Sequence, residues 1–253
     1  MRAHAGKIAL VTGASRGIGR AIAQRLGADG AFVLVHYNRG ADEAEVTLAA
    51  IRAAGGQGLT VQADLGDRDG AATLAARTVA ALARRFADPR LDILVNNAGI
   101  GNGAAFAETT PEAFDAMITV NLRAPFFLIQ GLLPHLRDGG RIINLSSMGT
   151  RAAYPHMAAY APAKAGLEVL TRILAAELGP RGITVNAVSP GATATDMNPR
   201  ARDPVTAQRL AGTIALGRVG QPADIAGVIA ALASADGAWI TGQTIDASGG
   251  QRL

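Results

Sequence analysis

The chain has 253 residues, 49% of them hydrophobic and 17% charged, with a net charge of +4 and no cysteine, which is enough to bury a sizeable core in one domain. Without thiols there are no disulfides, thiolate nucleophiles or cysteine-based zinc sites, and the four histidines, His4, His36, His135 and His156, lack metal-ligand spacing, so no metal is expected. Scattered arginines and an aromatic content of only 4% speak against a nucleic-acid surface.

In chain order, short apolar runs predict strands at Lys7–Thr12, Phe32–His36, Thr60–Ala63, Asp92–Asn96, Arg141–Leu145, Thr184–Ser189 and Thr244–Asp246. Alanine-rich segments of helical period alternate with them: Gly17–Ala28, Ala41–Ala54, Gly70–Phe86, Pro111–Leu136, Ala158–Leu178 and Pro222–Ala233. Turn signals fall at Gly55-Gly56, Gly139-Gly140 and Gly179-Pro180. The alternation predicts an α/β chain, 1–253, folded as a single Rossmann-type doubly wound domain with a seven-stranded parallel sheet and helices on both faces. Asp196–Gly217 breaks the rhythm with two prolines, Pro199 and Pro204, and reads as a lid or an ordinary polar loop. No apolar run reaches the ~20 residues that span a bilayer, and Met1–Gly6 lacks the hydrophobic segment of a secretory leader. A soluble, cytoplasmic protein is expected.

The first strand runs directly into Thr12-Gly-Ala-Ser-Arg-Gly-Ile-Gly19 and a helix start. Glycines let the backbone approach a pyrophosphate, and the helix N-terminus offers free N–H groups to it. Gly13, Gly17 and Gly19 follow G-x-x-x-G-x-G rather than the more familiar G-x-G-x-x-G. An acid at the end of the second strand would bond the adenosine ribose. Here that stretch reads Tyr37-Asn38-Arg39. Arg39 and Arg16 could pair with a 2′-phosphate, which predicts NADP(H) over NAD(H).

Tyr160 and Lys164 are four residues apart, the spacing that places two side chains on one helix face. Lys7 and Lys164 are the only lysines. A phenol titrates near ~10, and a neighbouring ammonium should lower it toward the working range. An arginine would supply charge there without readily releasing a proton. Ser147, thirteen residues before Tyr160, offers a second hydroxyl, with Ser146 as the neighbouring alternative. Two donors aimed at a carbonyl oxygen stabilise the alkoxide charge that hydride addition creates.

These motifs, with Asp64, Asn96-Asn-Ala-Gly99, Asn121, Pro190-Gly191 and Thr195 in the same order, make the chain resemble the short-chain dehydrogenases/reductases from Lys7 to about Gly250. The resemblance implies that Tyr160 is the acid or base, that Ser147 bonds the reacting oxygen, and that Asn121, at a helix distortion, holds a water linking Lys164 to solvent. It also implies that Lys164 bonds the nicotinamide ribose and that Asp64 and Leu65 hold the adenine. Asn96 would brace the sheet beside the cofactor. The cofactor would further meet Gly13, Ser15, Arg16, Gly17, Ile18 and Gly19 at the glycine loop and Tyr37, Asn38 and Arg39 at the second strand. It would meet Asn97, Ala98 and Gly99 after the fourth strand, Tyr160 at the reacting end, and Pro190, Gly191, Thr193 and Thr195 after the sixth strand.

The implied reaction is hydride transfer between nicotinamide and a ketone or secondary alcohol. A 3-oxoacyl thioester on an acyl carrier protein is one candidate substrate, with Arg181, Arg200, Arg202 and Arg209 as docking residues. Asp138-Gly139-Gly140 stands against it, where carrier-protein reductases tend to be basic. A non-catalytic NADPH sensor would be expected to lack the tyrosine or lysine, and both are present. The resemblance implies a homotetramer packed through Pro111–Leu136, Ala158–Leu178 and the last strand.

Overall fold

Along the first strand, Ile8 and Leu10 turn to one face and Ala9 and Val11 to the other, and all four are buried. A strand apolar on both faces needs a cover on each, which is why it lies inside a parallel sheet between helices. In the computed structural model, residues 2–101 and 103–252 are described; Met1 and Leu253, included in the expected 1–253 unit and the leader reading, and Asn102 lie outside them. The strands are β1 (Ile8–Val11), β2 (Phe32–Tyr37), β3 (Gln57–Gln62), β4 (Leu91–Asn96), β5 (Leu136–Leu145), β6 (Thr184–Pro190) and β7 (Thr244–Ala247). They form a seven-stranded, all-parallel sheet in the order β3-β2-β1-β4-β5-β6-β7.

The helices are α1 (Gly17–Ala28), α2 (Ala41–Ala53), α3 (Gly70–Ala83), α4 (Pro111–Ile118), α5 (Ala124–Leu132), α6 (Tyr160–Leu178), α7 (Pro204–Ala211) and α8 (Pro222–Ala233). Ile22 and Leu26 of α1, Ile51 of α2 and Ile229 of α8 cover the face carrying Val11, Val33 and Val95. Leu74 of α3, Leu128 of α5 and Leu178 of α6 cover the face carrying Leu10, Leu34 and Leu94. This is the Rossmann-type α/β architecture. Beneath the sheet's starting edge, Lys7 Nζ meets Asp92 at 3.1 Å, and Asp92 also accepts the Ile8 N–H at 2.9 Å.

Three sequence expectations need correction. The single helix expected over Pro111–Leu136 is three pieces, because a turn of π-helix at Thr119–Arg123 separates α4 from α5 and Leu136 already opens β5. Against expectation, Pro111–His135 is by length and composition apolar enough to cross a membrane. In this fold Ala124, Leu128, Ile129 and Leu132 from that stretch are buried in the core. Gly139-Gly140 lies within β5 rather than ahead of it. Gly139 has φ +73° and the β4–β5 register shifts between Leu91 and Ile93, so the glycines make a bulge.

Candidate active site

β1 is followed to one side by β2 and β3, and the chain then crosses over to place β4 on the other side of β1. At such a reversal the loops leaving two adjacent strands diverge and open a crevice beyond their carboxyl ends. The glycine loop fills its floor. Thr12 Oγ1 accepts the N–H groups of Asn97 and Ala98, both at 2.9 Å, and Asn97 Nδ2 donates to Thr12 O at 2.8 Å and Gly13 O at 3.1 Å. A side chain at Gly13 would lie 2.9 Å from Ala98 Cα, and one at Gly19 would collide with Gly13 O and Asn97 Nδ2. Gly13 also has φ +62° and Gly17 φ +57°, a region that favours glycine.

α1 begins at Gly17 with no side-chain cap and no acid in its first turn, so its leading N–H groups remain available to an anion. Thr195 reaches across from the segment after β6, its Cγ2 3.6 Å from the position a Gly17 side chain would take. Arg16 and Arg39 are exposed beside this cradle. Narrow backbone, free helix dipole and two cations together fit a dinucleotide carrying a 2′-phosphate.

α6 starts at Tyr160, so the phenol and Lys164 occupy its first turns at the mouth of the crevice. Lys164 is 3% exposed, its Nζ donates to Leu145 O at 2.7 Å, and it lies 5.8 Å from the Tyr160 ring centre. Ser147 caps a turn at the end of β5, and its Oγ accepts the Gly149 N–H at 3.1 Å. A carbonyl oxygen placed between Tyr160 and Ser147 would meet two hydroxyls.

The expected electrostatics are reversed in one respect. Burial pushes the Tyr160 phenol above its ordinary value, and the Ser147 hydroxyl beside it pulls the other way without prevailing. Burial lowers the Lys164 ammonium to about 8. The ammonium donates to Leu145 O and is itself weakened by desolvation.

Asn121 lies in the π-turn, fully buried, with Oδ1 accepting the Ile100 N–H at 3.2 Å and Nδ2 donating to Ile100 O at 3.0 Å. Gly99 keeps open the gap between Asn121 and Lys164, since a side chain there would lie 2.8 Å from Asn121 Oδ1 and 3.5 Å from Lys164 Nζ. Ser146, the alternative to Ser147, is turned away and donates to Glu168 Oε1 at 2.5 Å. That contact leaves Ser147 as the hydroxyl nearer Tyr160.

The other expected cofactor residues have the following surroundings. Asn97's amide shapes the glycine loop, Leu65 is buried in the core, and Asp64 Oδ1 accepts the Gly66 N–H at 2.8 Å. Ser15 O accepts from Arg20, Thr193 Oγ1 donates to Gly191 O at 3.1 Å, and Gly191 is hemmed in by Ser248 and Gln251. Ile18 and Tyr37 pack on the core, Asn38 is exposed, and Pro190 closes β6.

Three residues of this framework were not singled out from sequence. His36 is buried under the glycine loop, its Nδ1 accepting the Gly13 N–H at 3.0 Å and its Nε2 bonding Ala63 O at 3.1 Å. Asn144 links Asn96 at 2.8 Å to Thr171 on α6 at 2.9 Å. Glu168 holds the turn that carries Ser147. A polar residue amid an apolar strand run, as at His36 and Asn144, was the available signal.

Over the mouth, Asp196–Gly217 forms a short 3₁₀ turn and α7, capped by Asp203 Oδ1 on the Thr206 N–H at 2.8 Å. Arg202 pairs with Asp196. The chain end straps the base of this segment: Leu216 N donates to Gly249 O at 3.1 Å, and Gln251 Oε1 accepts the Ala192 N–H at 2.7 Å.

A family model described as enoyl-(acyl carrier protein) reductase matches residues 13–252. The landomycin C-6 ketoreductase LanV, solved with bound NADP and rabelomycin, is 47% identical over 99% of this chain and 98% of its own, with a TM-score of 0.91. Versicolorin reductase 1 of Aspergillus parasiticus is 40% identical over 97% of this chain and 96% of its own. A 3-oxoacyl-[acyl-carrier-protein] reductase of Staphylococcus aureus is 41% identical over 98% of each. The chain belongs to the short-chain dehydrogenase/reductase family. It is an NADP(H)-dependent oxidoreductase acting between a ketone and a secondary alcohol.

Proposed function

We propose that this chain reduces a large, apolar ketone, with Tyr160 as proton donor, Ser147 as second donor to the carbonyl oxygen, and Lys164 and Asn121 on the proton route behind them. The carrying observation is the convergence of the Tyr160 and Ser147 hydroxyls above buried Lys164, opposite an uncapped α1 N-terminus. The glycine loop, Arg16, Arg39 and the segments after β3, β4 and β6 would hold NADPH, which would supply the hydride. The two hydroxyls stabilise charge developing on the carbonyl oxygen, and Tyr160 delivers its proton there to complete the alcohol. With the phenol raised by burial, Tyr160 holds its proton at neutral pH, which suits reduction more than oxidation.

Four features support the substrate class. Met148 is buried with Sδ 3.5 Å from Tyr154 Oη, Met157 borders Gly149 beside Ser147, Met197 lies along Gly101 and is 59% exposed, and Leu216 of the lid is exposed. Thioethers fill irregular space and make favourable contacts with aromatic rings. Of the basic residues considered for carrier-protein docking, Arg181 is remote, bonding Leu133 O and Asp138 where β5 begins, and Arg202 is paired with Asp196. Only Arg200 and Arg209 remain for that reading.

The test is NADPH oxidation with fused-ring aromatic ketones, simple cyclic ketones and 3-oxoacyl thioesters. Fused-ring ketones should give the highest kcat/KM, and a preference for thioesters would overturn the substrate reading. Tyr160→Phe should lower kcat by about a thousandfold or more while NADPH binding stays within a few-fold. A variant keeping most of its rate would remove Tyr160 from the mechanism.

The same reading makes 1–253 one folding unit, cytoplasmic and homotetrameric. Exposed Phe114, Phe126 and Phe127 with Val169 and Ile173 on α6 supply one apolar face, and Trp239, 98% exposed beside edge strand β7, supplies another. Light scattering on the wild type should give four copies, and a monomer would reject the assembly.

A further inference from the structure

The turn Ser146–Thr150 bears Ser147, whose hydroxyl accepts the Gly149 N–H and meets the Tyr160 phenol. The turn is held instead from α6. Glu168 stands one helical turn beyond Lys164, and its Oε1 accepts the Ser146 hydroxyl at 2.5 Å and the Thr150 hydroxyl at 2.9 Å. These two residues bracket Ser147. On the preceding side, Lys164 Nζ holds Leu145 O at 2.7 Å. Helix α6 therefore grips the turn at three points, two of them through one carboxylate.

That carboxylate is half-buried and, among the described residues, makes no ion pair. Hydrogen bonds to an ionised acceptor are shorter and roughly twice as strong as neutral ones. A side chain placed only for solubility would turn outward. This one points inward at two hydroxyls. The same helix carries Tyr160, so the clamp fixes the Ser147 oxygen relative to the phenol across a strand end that would otherwise be free to shift. A misplacement of about 1 Å in such a pair can cost about a hundredfold in rate.

We propose that Glu168 is a positioning residue that sets the Ser147 hydroxyl against Tyr160, acting through the turn and not on substrate or cofactor. The proposal rests on the roles given to Ser147 and Tyr160. It predicts that Glu168→Leu lowers kcat for ketone reduction by about ten- to a hundredfold, with NADPH affinity within about twofold. Glu168→Gln keeps an acceptor oxygen and should recover most of the rate.

The deciding measurement is a cycle with Ser147→Ala. If Glu168 works through Ser147, Glu168→Leu added to Ser147→Ala should cost less than about threefold further. Multiplied losses, or equal losses of kcat and NADPH affinity, would overturn the proposal. Should Glu168→Leu fail to fold, Ser146→Ala with Thr150→Val cuts the same two bonds from the other side. That pair should reproduce the kcat loss, and wild-type kcat there would equally overturn it. Tyr160→Phe separates the two levels: if it retains its rate the reaction reading fails, whereas an inactive Tyr160→Phe beside multiplied losses rejects only the Glu168 clamp.

Discussion

Beneath Ser147 and Tyr160, polar side chains are buried and bonded to each other, whereas over the same mouth Asp196–Gly217 keeps its charges at the surface. Asn96, Asn144 and Thr171 form one chain from β4 through β5 to α6, all within the core. That segment's pair, Arg202 with Asp196, has both side chains more than half exposed. Removing a partner from the buried chain strands a donor without water, while removing one from the exposed pair returns both groups to solvent. The floor should therefore be costly to disturb and the Asp196–Gly217 segment cheap.

The largest effect is expected from His36. Burial lowers its imidazole from 6.5 to about 4, and Nδ1 must stay unprotonated to accept the Gly13 N–H. Its folded value lies below its unfolded one, so the stability it contributes is present above pH 6.5 and is lost as pH falls toward 4. That loss is about 3 kcal/mol. Urea unfolding across that window should show it, and a His36→Asn variant should flatten the slope. An unchanged slope would reject the assignment.

Asn144→Ala comes next, leaving Asn96 Nδ2 without its acceptor and costing about 2 kcal/mol. Thermal unfolding would register this as a drop of roughly 4–8 °C. Smaller near neutrality is the effect of Lys164, lowered to about 8 by burial. Ketone reduction should decline as pH rises through about 8, by up to about tenfold per pH unit, while Tyr160 keeps its proton. A kcat profile flat to pH 10 would detach Lys164 from the step. Least of all, Asp196→Asn should change stability by under ~0.5 kcal/mol. Any larger loss by urea unfolding would erase the contrast between the floor and the Asp196–Gly217 segment.

The same contrast explains what could be read before folding. Gly13, Gly17, Gly19, Ser147, Tyr160 and Lys164 announce themselves because the chemistry needs those residue types at covalently close spacing, and the fold brings them to one crevice. Most strand and helix positions followed from apolar period, but β3 is Gln57–Gln62 instead of the expected Thr60–Ala63, since its polar, glycine-containing start carries no apolar signal. The π-turn at Thr119–Arg123 leaves no mark in the apolar rhythm around it, and only the family resemblance put a helix distortion at Asn121. The raised phenol of Tyr160 was not legible either, since burial depends on what the rest of the chain lays over it. Glu168 reads as an ordinary solvent-facing helix residue until Ser146 and Thr150 are seen to meet it. Bonds between distant segments leave no local mark.

The chain's two lysines lie at opposite ends of the sheet. Lys7, at the start of β1, has a side chain 51% exposed, whereas Lys164 is 3% exposed at the mouth. Reagents that acylate amines should reach the first and spare the second. Tethering to an activated bead through Lys7 would leave the crevice facing outward, giving an oriented biocatalyst from the native sequence.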